Sequence, residues 1–274
     1  MKTRIISGLA MVPLLLVFYF GGFWLMGLTA IITFIAIKEF YSGFENMDVH
    51  PNFKIGYAAV GILYAMNAYM YYMGDFNNIF LLCWLVAVIM ASSLYMFDIE
   101  KIRPVDSMAT AQGLIYVAFF AFHLVLVDEL TNFSMFKWLI ILTAFGSDIF
   151  AYFTGVFLGR HKLCPVLSPK KTIEGAIGGI VGSVALCALF GYIFLKPYFV
   201  HCIVIGLIGS PISMLGDLTA SAYKRKMGIK DYGDLIPGHG GVMDRCDSVL
   251  FTAPFVYYYI MIVMQYFAIG MPAE

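Results

Sequence analysis

Long apolar runs separated by short polar intervals fill this chain, and only the interval from Ser221 to Asp247 is both long and densely charged. Runs that reach the ~20 residues needed to cross a hydrocarbon layer fall at 5 to 20, 23 to 38, 56 to 73, 79 to 97, 108 to 127, 135 to 158, 174 to 195, 199 to 222 and 248 to 269. The pattern predicts an all-α, polytopic integral membrane protein of about nine transmembrane helices. The first two runs meet at Gly21-Gly22 with almost no loop, so they form either a tight hairpin or one broken helix, and the count is nine or eight. Composition agrees with this reading. A mean hydropathy of +0.86 with 12% charged residues leaves too little polar surface to clothe a soluble domain of 274 residues.

Charge placement gives an orientation. With nine spans and a cytoplasmic N-terminus, every Lys and Arg except Lys137 and Lys196 falls in an inner segment, which is the positive-inside pattern. The 221 to 247 interval is then cytoplasmic, and the expected location is the cell membrane, multi-pass, with the active site facing the cytoplasm. The MKTR opening and the apolar run behind it imitate a secretory signal. A second apolar stretch follows directly, so a retained helix is expected. Three of the five cysteines fall in predicted helices and two, Cys164 and Cys246, on the reducing side, without a C-x-x-C pair; neither a disulfide nor a cysteine metal site is expected.

No repeat or low-complexity linker divides residues 1–274, which read as a single membrane domain with two halves, an N-terminal helical scaffold over 1–130 and a catalytic half over 131–274. The halves differ in what they bury. The first holds little that ionises inside its helices beyond His123, whose aromatic neighbours suggest simple packing, whereas the second carries Asp148 deep in its first helix and Asp217 near the inner end of another. A charge at such depth costs at least ~2.5 kcal/mol on insertion scales and normally faces a partner or a wet cavity. Gly175 with Gly179 and Gly178 with Gly182 have G-x-x-x-G spacing, which lets another backbone come close; helix packing within the chain or a dimer contact would both use it.

The 221 to 247 interval holds five cations, four carboxylates, one histidine and five glycines. Asp244 and Asp247, three apart at the start of the last helix, share one helical face. Grouped carboxylates suit Mg²⁺, which takes one or two of them plus substrate phosphates and water. With Asp217 and Asp148, four carboxylates from three helices are expected to converge on Mg²⁺, a second cation being an open alternative. Taken singly, each aspartate reads equally well as a solvated or arginine-paired cap. The basic counterpart is Lys224, Arg225, Lys226 and Lys230, joined by the run from Ser168 to Thr172, SPKKT. There Ser168 is expected to cap the following helix and Pro169 to take its first position, leaving a helix N-terminus flanked by Lys170 and Lys171 as a phosphate site. Gly238, Gly240 and Gly241 allow backbone to approach a ligand and form an anion-binding nest, and His239 could donate to phosphate, ligate metal or cap the turn. No Walker A, H-E-x-x-H or G-x-S-x-G motif is present.

Read together, Ser221, Lys224, Arg225, Lys230, Asp231, Ile236, Pro237, His239, Gly240, Gly241, Asp244, Arg245 and Asp247 resemble the signature of the phosphatidate cytidylyltransferases, or CDP-diacylglycerol synthases. Tyr223 and Cys246 depart from the usual residues, both at packing positions. The likeness extends upstream through Gly216-Asp217, the SPKKT run to Glu174-Gly175, and Asp148 with Tyr152 and Gly155, and weakly to Arg4 through Gly8. The resemblance implies an enzyme that condenses CTP with phosphatidic acid to give CDP-diacylglycerol and pyrophosphate, a cavity at the inner leaflet open to lipid and water, and a homodimer. It implies catalytic and metal roles for Asp217, Asp244, Asp247 and Asp148, a catalytic role for His239, and substrate contacts from Ser168, Lys170, Lys171, Glu174, Ser221, Lys224, Arg225, Lys230, Asp231, Gly240, Gly241 and Arg245. Membrane lipid is an expected partner and nucleic acid is not. Two other readings stay open: a CTP-dependent polyprenol kinase, which would release CDP, and an ion-coupled transporter using Asp148 and Asp217 as ion sites.

Overall fold

The structure is a computed structural model that describes residues 14–74, 79–235, 238 and 240–266. Lys2 and Arg4 through Gly8, Ile236, Pro237 and His239 lie outside the described residues. The described chain is almost wholly helical: α1 (Gly22–Glu45), α2 (Phe53–Met73), α3 (Ile79–Tyr95), α4 (Pro104–Glu129), α5 (Lys137–Leu158), α6 (Ile173–Phe194), α7 (Phe199–Lys226) and α8 (Met243–Tyr259). Between α5 and α6 stands a small antiparallel hairpin of β1 (Lys162–Cys164) and β2 (Ser168–Thr172). Residues 14–20 are also helical, and the chain breaks where Gly21 and Gly22 both take positive φ, which glycine adopts without steric cost.

Among the described residues, six helices are long and apolar enough to cross a membrane. They are α1, α4, α5, α6, α7 and α8, each with its short extensions. The expected nine spans are thus not confirmed among the described residues. The first run lies mostly outside the described residues, α3 has 17 residues, and the tyrosines of α2 together with Asn67 lower its hydropathy despite its 21 residues.

The chain forms two compact units, Met1–Val125 with Lys224–Arg245, and Leu126–Tyr223 with Cys246–Glu274. In the first, the core is aromatic. Tyr41 is wholly buried and its hydroxyl donates to the Thr110 carbonyl at 2.7 Å, which satisfies a polar group that lipid could not. Gly56 and Gly113 leave the space its ring occupies, since a Cβ on either would collide with it. Trp84 Nε1 donates to the Ala59 carbonyl at 2.8 Å, and His123 is buried with Nδ1 2.7 Å from the Phe119 carbonyl, in keeping with a packing role.

In the second unit, α5 and α6 pack extensively along each other. The small residues foreseen on α6 are what permits it. A Cβ on Gly175 would stand 2.8 Å from the Ala151 carbonyl and one on Gly179 2.8 Å from that of Ser147, while Gly178 and Gly182 are met by Thr154 and Phe150 of α5. The G-x-x-x-G faces are thus spent on packing inside the chain. At the far end of α5, the buried Lys137 pairs with Asp128 at 2.5 Å.

The structure corrects one local expectation. Ser168 does not cap α6 and Pro169 does not begin it, because SPKKT is strand: Lys162 faces Thr172 and Cys164 faces Ser168 across the hairpin. Thr172, at φ −123° and ψ 156°, is the true N-cap, and its hydroxyl accepts from the Gly175 amide at 3.1 Å. The Ser-Pro pair resembles a helix start, but strand pairing takes the backbone of these residues first.

Candidate active site

Each unit gathers carboxylates, and they are built differently. In the second unit the central feature is a cavity of about 530 Å³ lined by Asp148 from α5, Asp217 from α7, Lys162 of β1, Lys170 and Lys171 of β2, and the apolar faces of Tyr152, Val156, Leu163 and Met214. The hairpin register sets Lys162 beside the end of β2, so that three ammonium groups line one cavity with two carboxylates. Lys171 Nζ stands 2.5 Å from Asp217 Oδ2 with both side chains about a quarter exposed, and Ser221 Oγ donates to Asp217 Oδ1 at 3.4 Å. Asp148 is half-buried and accepts from Ser248 Oγ at 3.2 Å.

Glu174, expected among the substrate contacts, ties the loop that precedes the hairpin. Its carboxylate accepts from the amides of Arg160 at 3.0 Å and His161 at 3.2 Å, and His161 Nδ1 lies 2.6 Å away. The Ile173 amide returns a hydrogen bond to the His161 carbonyl at 2.9 Å, so the strand pair that carries the lysines is tied at its base. Asp247 on α8 is buried, with Oδ1 accepting from the Ser248 amide at 2.8 Å.

In the first unit, Asp244 is buried and its oxygens are engaged by the chain. Oδ1 accepts from Lys224 Nζ at 2.7 Å, and Oδ2 accepts from the amides of Tyr232 at 2.8 Å and Gly241 at 3.0 Å. Lys224 also lies 5.5 Å from the centre of the Tyr232 ring, within cation–π range. Gly238 and Gly240 take φ of 80° and 82°, so the glycine turn forms as expected. The anions it receives belong to the protein itself: the Gly241 amide serves Asp244, and the next two amides, of Val242 and Met243, serve Glu39 at 3.1 and 2.8 Å. Arg225, Lys230, Asp231 and Arg245 are exposed.

Among the described residues, no group of three or more His, Cys, Asp or Glu side chains is gathered as a metal site. Asp148 and Asp217 are the expected ligands that line one cavity. Two hard oxygen donors beside bound phosphates and water are what Mg²⁺ requires, so their chemistry fits that ion. Sequence reasoning missed Lys162 and Glu39. The first could have been found from the short Cys-Pro-Val-Leu-Ser turn that folds it back toward Lys171. The second directly follows the run that ends at Lys38, where it reads as an ordinary boundary charge.

The chain matches the cytidylyltransferase family over residues 2–263. It is 33% identical over 256 residues to a phosphatidate cytidylyltransferase of Staphylococcus aureus, covering 92% of this chain and 94% of that protein. The corresponding protein of Staphylococcus saprophyticus is 31% identical over 258 residues, with 93% and 96% covered. A shorter alignment with the Synechocystis enzyme of the same name reaches 46% identity over 120 residues, spanning 43% of this chain and 41% of that relative's length.

Proposed function

This chain belongs to the cytidylyltransferase family, and on that premise we propose that it is a phosphatidate cytidylyltransferase, an integral membrane enzyme that joins CTP to phosphatidic acid. The observation that carries this reading is the cavity in which Lys162, Lys170 and Lys171 stand with Asp148 and Asp217 beside an apolar wall. A phosphate monoester has a second pKa near ~6, so at neutral pH the lipid phosphate is already an anionic nucleophile. Its difficulty is approaching another polyanion. A phosphatidate oxygen forms a bond to the α-phosphorus of CTP as the bond to the β-phosphate oxygen breaks, giving CDP-diacylglycerol and pyrophosphate. Proton transfer is a minor part of this step, and charge neutralisation is the main one.

The residues divide that work. Lys162, Lys170 and Lys171 bind the triphosphate and screen the pyrophosphate as it leaves. Asp148 and Asp217 would hold Mg²⁺, and Asp247 is the candidate for a second cation. When bound, the ion supplies positive charge to the phosphoryl oxygens in flight. Asp244, engaged by Lys224 and two amides, serves by fixing the polar loop. Tyr152, Val156 and Met214 offer the lipid its apolar surface. The positive-inside distribution supports a cytoplasmic site in the cell membrane, where CTP is available. A homodimer, implied by the family resemblance, belongs to the same proposal.

The test is product analysis with purified protein in mixed micelles. CTP labelled at the α-phosphate should pass label into lipid, with pyrophosphate released and a divalent cation required. Release of CDP with transfer of the γ-phosphoryl group would instead identify a lipid kinase, and ion flux without CTP turnover a transporter.

A further inference from the structure

We infer that Glu39 is a positioning residue for the reaction, an internal anion that occupies the glycine turn and fixes where α8 begins. The inference rests on the function proposed above and on geometry confined to the first unit. Glu39 is buried in α1, yet both carboxylate oxygens accept backbone hydrogen bonds from residues more than 200 positions away, Oε1 from Val242 and Oε2 from Met243. The donors are free amides at the start of a helix, where the backbone dipole also favours negative charge.

Two glycines are explained by this carboxylate. A Cβ on Gly241 would stand 2.5 Å from Glu39 Oε2, and one on Gly233 2.6 Å from Oε1. Neither glycine has a positive φ, so neither is required by backbone conformation, and it is the space taken by Glu39 that excludes a larger side chain. The amide of that same Gly241 donates to Asp244 Oδ2, and Asp244 holds Lys224. Glu39 therefore sets the register of a short run in which one amide orients Asp244 and the next two are held from α1. Its negative charge also fills the nest that the glycine motif would otherwise offer to a phosphate, which leaves the substrate to the lysines of the hairpin.

The experiment compares Glu39→Gln, Glu39→Ala, Gly241→Ala and the double variant Glu39→Ala/Gly241→Ala in full-length protein purified in detergent. Glutamine keeps the shape but turns an N–H toward a backbone N–H. It should lower kcat for cytidylyl transfer roughly ten- to a hundredfold, the cost of a misplaced active-site element, with KM for CTP changed by less than about threefold. Gly241→Ala should reproduce the loss by displacing the carboxylate. The double variant, with room restored, should be no worse than Glu39→Ala alone.

Amide hydrogen exchange at residues 241 to 243 is the second readout, and it should accelerate in each Glu39 variant. Accelerated exchange with kcat unchanged would overturn the positioning role while leaving the proposed reaction intact. So would a double variant in which the two losses simply add. Should the unsubstituted protein fail to transfer label from CTP to lipid, the proposed function falls, and the exchange data still report whether Glu39 holds the turn.

Discussion

Asp244 and Asp217 are each paired with a lysine, at 2.7 and 2.5 Å, but their surroundings differ. The Lys224 and Asp244 side chains are 12% and 1% exposed, whereas Lys171 and Asp217 are each 25% exposed and line a cavity. Asp244 also receives two backbone amides, while Asp217 has Ser221 at 3.4 Å. Asp244 is saturated by its own chain, whereas Asp217 borders a cavity and, on the function proposed above, is open to substrate. The sequence resemblance gives the two the same role, and the fold gives them different surroundings.

That separation is open to attack by substitution. Asp244→Asn carries the largest expected effect. Whichever way the amide turns, a donor meets a donor, and breaking a buried pair of this kind costs about 3 to 5 kcal/mol. A large fall in Tm in detergent should result, and an unchanged Tm would erase the distinction. Asp217→Asn should do the reverse, lowering kcat roughly 100- to 1,000-fold with Tm nearly unchanged, because a partly exposed pair contributes about 0 to 1 kcal/mol to stability.

Smaller effects sharpen the contrast. Lys171→Ala should raise KM for CTP roughly tenfold through a lost charge-assisted contact, read from initial rates at saturating phosphatidate. Thr172→Ala should cost about 1 kcal/mol of helix capping, seen as a modest Tm shift.

Much of this was legible in the residues themselves. Hydropathy located the six helices long and apolar enough to cross a membrane, while the tyrosines of α2 lower its hydropathy and find partners such as Thr33 for Tyr64 at 2.9 Å. The carboxylates and lysines of the cavity were all legible as candidates except Lys162, which needed the hairpin register. SPKKT was misread because Ser-Pro satisfies the rules of a helix start, while the residues that pair with it lie four to ten positions earlier. What distinguishes Asp244 from Asp217 was invisible, since it depends on which amides and ammonium groups the fold brings to each. The partners of Glu39 are too distant along the chain for any local pattern to suggest them.

The hairpin carries a practical consequence. Its base is clamped by Glu174 and by the bond from Ile173 to His161, and its tip at Pro165 and Val166 is exposed, Val166 by 89%. Exposed tips above a secured base accept insertions well. A small fluorophore or epitope grafted there would ride a few residues from the lysines without entering the cavity, making this loop a natural handle for watching nucleotide arrive in a living membrane.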